Sequence, residues 1–343
     1  MPSVQTYDAA ASEARRPGKQ QSGTVPDIRE LVRLATLAAS SHNTQPWKFR
    51  IGRESIEVLP DFERRCPVVD PDDAHLFKSL GCATENLVHA AAAQGCTAEV
   101  GFDASAESVV VQLRPSSTAR ATDLFRAITV RQCTKTLYDG RPISTDHLRT
   151  LELSGQGTTV RTILLTERKH IEAVVEYVNQ GNQTQLSDPA FRRELISWIR
   201  FNLGEALRTR DGLSGRTGGQ PPLPRWLAKG IMPLVLTAKT QADTDARNIR
   251  SSPAVAIFVA AGDDRSAWVE TGRAYERLAL QATALEIRSA FINQPIEVRS
   301  LRSQFESWLG LKGERAHLVV RIGCAPLAPY SLRRPVEEVI LNP

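Results

Sequence analysis

A chain of 343 residues with 43 basic and 38 acidic side chains, net charge +5, is long enough for a large core or for two domains. Its 41% apolar and 24% charged content is ordinary for a folded soluble protein. The small positive excess suits an anionic ligand such as a phosphate-bearing cofactor. It is too small to argue for nucleic acid, since no basic run is interleaved with aromatics, and no nucleic-acid partner is expected.

Residues 1–25 hold Arg15-Arg16 with no apolar stretch behind it, so a disordered tail is expected rather than an export signal. No stretch reads as a membrane span. Cys66, Cys82, Cys96, Cys133 and Cys324 are odd in number and scattered, without zinc or Cys-x-x-Cys spacing. That pattern points to a reducing cytoplasm and to no metal site. A helix is predicted from Pro26-Asp27, with Ile28, Leu31, Ala35 and Ala38 on one face. The polar loop 40–46 follows. Trp47–Ile51 alternates like a strand and turns through Gly52–Glu54 into Ser55–Leu59. After an irregular stretch, 60–75, come a small-residue helix from Leu76 to Gln94, stopped by Gly95, and a hairpin pair, Ala98–Phe102 and Ser108–Leu113.

A second unit begins near Ala121. Asp123–Val130 reads as helix and runs into Arg131-Gln132-Cys133-Thr134-Lys135. Turn signals and a short helix follow, then a strand at Val160–Leu165 and an amphipathic helix at Arg168–Gln180. Residues 181–246 are an excursion: a helical piece (Asp188–Leu207), a glycine- and proline-rich stretch (212–224), and Trp226–Met232. Its aromatics Trp198, Phe201 and Trp226 must pack on something, so a lid over a site and an arm around a partner subunit are both open readings. The core resumes with a strand at Ala254–Ala260, helices at Trp268–Arg288 and Glu297–Leu309, and a strand at His317–Ile322. The tail carries Arg333-Arg334-Pro335.

The two long helices repeat one another. Gly81-Cys82-Ala83-Thr84-Glu85-Asn86-Leu87 matches Gly272-Arg273-Ala274-Tyr275-Glu276-Arg277-Leu278 at a constant offset of 191, with four identities in seven. Two helix faces that each want small residues for close packing would give a similar match by coincidence. A true repeat makes the chain two copies of one α+β unit, mimicking internally what a symmetric dimer does with two chains. The copies are unequal. Only the first has the loop Ser40-Ser41-His42-Asn43-Thr44-Gln45-Pro46-Trp47, where the second reads Leu153-Ser154-Gly155-Gln156-Gly157. Only the second has Arg131-Gln132-Cys133-Thr134-Lys135. One composite site between the copies is therefore expected. Ser40, Ser41, Asn43 and Gln45 offer donors and acceptors suited to a flat ring with polar edges. The alternative is a loop whose polar side chains only build turns and caps.

Ala39–Phe49 resembles the signature loop of the FMN-dependent nitroreductases. Arg131-Gln132-Cys133-Thr134-Lys135 resembles their N-terminal Arg-x-Ser-x-Arg/Lys element, with Cys133 where Ser is usual. From about residue 26 to 340 the chain is similar to the Acg branch, in which two nitroreductase-like halves are fused; Asn293-Gln294-Pro295 and Arg333-Arg334-Pro335 also fit. The resemblance implies an α+β pseudo-dimer. Its first half would span 26–120, its second 121–330 with a lid at 181–246, and a tail 331–343 would lie near the cofactor phosphate. It further implies FMN at the seam, gripped at the phosphate by Arg131 and by Arg333 or Arg334. Gln132 and Cys133 would lie beside that grip, with Cys133 a weaker donor than serine or a buried packing residue.

On the same resemblance Lys135 would sit at the N1 and C2 carbonyl edge of the flavin. Ser40, Ser41, Asn43 and Gln45 would reach the ring or ribityl chain from the other half, with Asn293 and Gln294 on the N5–O4 side. No side-chain acid or base is required, and His42 reads as a satisfied or solvent-facing histidine. Two functions follow from the likeness. One is an oxidoreductase passing hydride from NAD(P)H through FMN to nitroaromatics or quinones; the other is a flavin-sequestering protein with its lid closed. A monomer that mimics a dimer is expected, with further association open.

Overall fold

The computed structural model describes residues 3–20, 25–219 and 223–341. Residues 21–24 of the expected tail, and Pro221 and Pro222 of the proline-rich stretch, lie outside the described residues. Residues 3–20 are not the disordered tail expected for 1–25. Helix α1, Val4–Ala14, starts at an N-cap where the Ser3 side chain accepts from the Thr6 amide. Its alanines favour helix, while its only buried residues, Tyr7 and Ala11, are one turn apart and leave almost no apolar periodicity to read.

The first half runs through α2 (Ile28–Ala35), β1 (Trp47–Ile51), β2 (Ser55–Pro60), α3 (Ala74–Ala93), β3 (Cys96–Asp103) and β4 (Ser108–Pro115). A short helix, α4 (Asp123–Ala127), leads to the second half: α5 (Thr145–Ser154), β5 (Val160–Leu165) and α6 (Arg168–Ser187). The excursion contains α7 (Pro189–Trp198), β6 (Ile199–Arg200), α8 (Leu203–Thr209), β7 (Leu213–Ser214), α9 (Arg225–Val235) and α10 (Ala238–Arg250). The core returns with β8 (Ala254–Ala260), α11 (Arg265–Ala284), β9 (Arg288–Phe291), α12 (Gln294–Glu297), α13 (Arg299–Trp308) and β10 (Arg315–Gly323). The chain closes on α14 (Val336–Val339) and β11 (Ile340–Leu341). The helical piece expected at Asp188–Leu207 breaks at Ile199–Arg200, which pair with Leu213–Ser214. The helix expected to reach Arg288 stops at Ala284, and Arg288–Phe291 forms a strand.

The repeat is real in three dimensions. The first sheet orders its strands β1-β2-β4-β3 and the second β5-β8-β10-β9, every neighbouring pair antiparallel. The three-residue turn between β1 and β2 is replaced, between β5 and β8, by everything from α6 to α10. The excursion is thus an expanded hairpin connection. α3 and α11 cross at the matched glycines: a Cβ on Gly81 would overlap the Val269 carbonyl, and one on Gly272 the Lys78 carbonyl. Only residues without a side chain admit that approach. β11 adds to β1 in parallel, tying the end of the chain to the first half's sheet. One apolar core, including Trp47, Phe49, Phe77, Phe258, Trp268 and Tyr275, spans both halves, and a second lies beneath α6 and α13. No helix among the described residues is long and apolar enough to cross a membrane.

Candidate functional site at the seam

α2 ends at Ala35 and leaves the carbonyls of Thr36, Leu37 and Ala38 pointing off its C-terminus, the partly negative end of a helix. Two arginines from distant parts of the chain converge there. Arg333 Nε donates to Thr36 O at 2.9 Å, and its Nη2 to Leu37 O and Ala38 O, both at 3.2 Å. Its Nη1 donates to Asn43 Oδ1 at 3.0 Å. Arg131 Nη2 donates to Leu37 O at 2.5 Å, and its Nε lies 2.8 Å from Glu276 of α11. Glu276 Oε2 in turn accepts from the Ala39 amide at 3.4 Å. The motif loop of one half, the arginine segment of the other and the tail therefore meet at one place.

A third arginine, which sequence reasoning assigned to a disordered tail, joins them. Arg15, at the end of α1, donates through Nη1 to Arg131 O at 2.9 Å and Thr129 O at 3.0 Å, and lies 4.3 Å over the Tyr330 ring. Arg15, Arg131 and Arg333 are 7%, 2% and 6% exposed, and Glu276 is fully buried. Burial and the neighbouring Arg131 pull the Arg15 guanidinium down to about 9. Burial, then Arg15 and Arg131, hold Arg333 well below the ordinary arginine range. Arg131 keeps its charge against burial because Glu276 lies beside it. The cluster also holds buried polar atoms with no hydrogen-bond partner among the protein atoms: Tyr7 Oη, Arg15 Nε, Arg131 Nε, Tyr275 Oη and Glu276 Oε1. Arg131 and Glu276 thus meet as charges without hydrogen-bond alignment. Three guanidiniums against one carboxylate leave an excess of positive charge, with Arg15 Nε unpartnered, while Arg333 spends its donors on Thr36, Leu37, Ala38, Asn43, Ser331 and Leu332.

The loop is strained. His42, Asn43 and Gln45 take φ of 47°, 55° and 54°, left-handed values that non-glycine residues rarely adopt. The excursion and the C-terminal tail hold them. Asn43 Nδ2 donates to Gly212 O and Leu332 O at 3.2 and 3.3 Å, and Gly212 N donates back to Asn43 O at 3.1 Å. Gln45, fully buried, donates to Arg210 O at 2.9 Å and accepts from the Arg334 amide at 2.8 Å. Asp211 pairs with Arg64 and, at 2.7 Å, with Arg200. Ser40 Oγ accepts from the Gln45 amide at 3.1 Å, and Ser41 opens the short turn that follows.

The remaining expected residues divide. Gln132 makes an amide pair with the Ala328 backbone (2.8 and 3.1 Å), Asn293 Oδ1 accepts from Val319 N at 2.9 Å, and Arg334 reaches Asp61 at 3.5 Å. These side chains fasten the tail and loops of the chain itself. Cys133 bridges to Ser289 at the edge of the second sheet. Lys135 is exposed, and its charge acts on His42, which burial chiefly, and Lys135 next, depress to about 4. His42 Nδ1 lies 3.6 Å from Cys66 Sγ. Lys135 also acts on Asp245 of α10, whose carboxyl burial raises. Asp245 accepts from Asn182 Nδ2 at 2.9 Å and from Gln294 Nε2 at 3.1 Å, joining α6, α10 and α12. Arg15, Tyr7, Glu276, Asn182 and Asp245 were not singled out for the site from the sequence. Only the Glu85–Glu276 correspondence offered a signal, and Glu85 is itself spent on Arg273 and Arg277 of α11.

No protein-family model matches the chain. It is 24% identical over 325 residues, 91% of this chain and 90% of the other, to the Mycobacterium tuberculosis protein named "Putative NAD(P)H nitroreductase Rv3131", and equally to MT3217 of another strain. Among solved structures it is similar to a Bacteroides fragilis nitroreductase with bound FMN (TM-score 0.39, 16% identity, 62% of this chain and 96% of that one). It is also similar to NfnB of Mycobacterium smegmatis in complex with NADPH (TM-score 0.39, 14% identity, 63% and 91%). By a likeness that covers 91% of its length, the chain is similar to mycobacterial proteins named putative NAD(P)H nitroreductases, and its own sheets repeat one strand order.

Proposed function

We propose that the chain is an FMN-dependent NAD(P)H oxidoreductase that works as a pseudo-dimeric monomer, with nitroaromatic or quinone-type acceptors. One observation carries this reading: three buried guanidiniums and one carboxylate converge where the two unequal halves join. Arg131 would hold the phosphate, with the charge of Arg333, whose donors are taken by the chain, behind it. Lys135, exposed and across the seam from the motif loop, would present its ammonium to the ring's pyrimidine edge and favour negative charge there. Ser41 would reach the ring or ribityl chain, as would the hydroxyl proton of Ser40, whose oxygen already accepts from the Gln45 amide, while Asn43 and Gln45 support the loop from behind. FMN would supply the hydride-accepting and hydride-donating chemistry. The chain's part is to bind, to orient and to keep water out, so no side chain is assigned as acid or base.

A second reading, flavin storage, is favoured by a specific observation. Residues 210–212 of the excursion hydrogen-bond directly to the motif loop and pair through Asp211 with Arg64. A lid held that way resists opening. Anaerobic addition of NADPH to the FMN-loaded protein separates the two. Bleaching of the flavin band within seconds, reversed by a nitroaromatic, supports the oxidoreductase. A protein that stays yellow supports storage, and one that takes up no FMN removes both.

A further inference from the structure

α1 is joined to the rest of the fold by few apolar contacts. Tyr7 and Ala11 pack with Ala206 of α8 and with Leu332, forming the smallest of the cores. Polar ties do the rest: Arg216 pairs with Asp8 at 2.6 Å, Arg33 donates to Ala14 O at 2.7 Å, and Arg16 reaches Glu30 at 3.3 Å. Against that modest footprint, α1 delivers a guanidinium, Arg15, beside two others already buried. Like charges in a low-dielectric site repel, and among the described residues Glu276 is the one carboxylate paired with a guanidinium of the cluster. Arg15 does anchor the helix, through Thr129 O, Arg131 O and the Tyr330 ring, but an anchor set away from the other guanidiniums would avoid that repulsion. An anion gains directly from the placement, and the unpartnered Arg15 Nε, carried by this segment, is a donor for it.

We infer that α1 is a phosphate-dependent clasp: Arg15 completes, with Arg131 and Arg333, a three-guanidinium subsite, so that phosphate binding and α1 docking reinforce each other. Thermodynamic linkage makes the reinforcement reciprocal. The inference rests on the reading that the seam takes a phosphate-bearing flavin, and it names the N-terminal segment as part of that site. It also makes α1 a specificity element, because riboflavin has the same ring and no phosphate.

The test compares FMN with riboflavin, by flavin fluorescence titration, on the full chain and on Arg15→Met and Arg15→Lys. Arg15→Met is expected to weaken FMN by about 10–100-fold, the range for one hydrogen bond to a charged group, and riboflavin by less than about twofold. Arg15→Lys restores part of the FMN affinity by returning the charge without the fork. Chymotryptic cleavage after Tyr7, which is buried while α1 is docked, gives a readout independent of turnover. FMN should slow that cleavage in the wild-type chain and not in Arg15→Met. Equal losses for both flavins, or a cleavage rate indifferent to FMN, overturns the clasp. Should the wild-type chain bind neither flavin, the flavin reading falls by itself and inorganic phosphate becomes the probe. Slower cleavage after Tyr7 in phosphate, lost in Arg15→Met, sustains the clasp, and no slowing overturns it.

Discussion

At the scale of single residues, buried charge decides what each substitution does. Arg131→Met alone leaves Glu276 fully buried without its partner, a change that destabilises by about 3–5 kcal/mol whatever the ligand. The informative variant is therefore Arg131→Met with Glu276→Gln. The pair should recover most of the thermal stability lost in the single variant yet keep an FMN affinity deficit of about 1.5–3 kcal/mol. Unchanged affinity in a flavin titration removes Arg131 from the site. Glu297 gives a pH signature. Burial, with Asp70 adding to it and Gln185 and Lys78 opposing, pushes its carboxyl up to about 7. A carboxyl whose folded value is raised binds its proton more tightly in the native state. Stability should therefore fall as pH rises from about 4.5 through about 7 and level off above. Glu297→Gln should flatten that decline in a melting series from pH 4.5 to 8, and a parallel curve would show that another group sets the slope.

At the scale of elements, the α3–α11 crossing is the joint on which the pseudo-dimer turns. Both helices contribute a glycine to it, and at each a Cβ would meet the opposing helix's backbone carbonyl rather than a movable side chain. Gly81→Ala or Gly272→Ala should each destabilise by about 1–3 kcal/mol or more, read as a lowered urea midpoint. The double variant should fall short of additivity because one separation of the helices relieves both clashes. Full additivity would mean that the helices do not share one joint. These glycines were legible as a repeat because close packing leaves a compositional trace. α1 was not, since two apolar residues one turn apart make no pattern.

At the scale of the molecule, the excursion and the tail reach across to the first half. Asp211 ties the excursion to Arg64 of the first half and to Arg200 of its own segment, next to the backbone that grips Asn43 and Gln45. On the proposed flavin reading, Asp211→Asn should loosen this tie and speed FMN release by roughly 10–100-fold, the kinetic equivalent of losing one charge-assisted hydrogen bond. Under the storage reading the same variant should also bleach faster with NADPH in a stopped-flow trace. A release rate equal to wild type would show that the excursion is not what retains the flavin. The tail acts in the same sense: Arg333 binds the end of α2 while β11 pairs with β1, so the last residues of the chain help position the first half's loop.

Residue order alone determined the doubled α+β plan, the strands Trp47–Ile51 and Val160–Leu165, the enlarged second copy and the two segments that meet at the seam. Each leaves a local mark: alternation, helical spacing, small residues at a crossing, or a polar loop in one copy and not the other. Which polar side chains are spent on the chain and which face the site was decided only by tertiary structure. Gln45, Gln132 and Asn293 share the donor and acceptor groups expected of ligand contacts, yet backbone brought from 165, 196 and 26 residues away takes them up. Arg15 and Glu276 enter the site for the converse reason. A buried charge is placed by what surrounds it in space, and no window of sequence contains those surroundings.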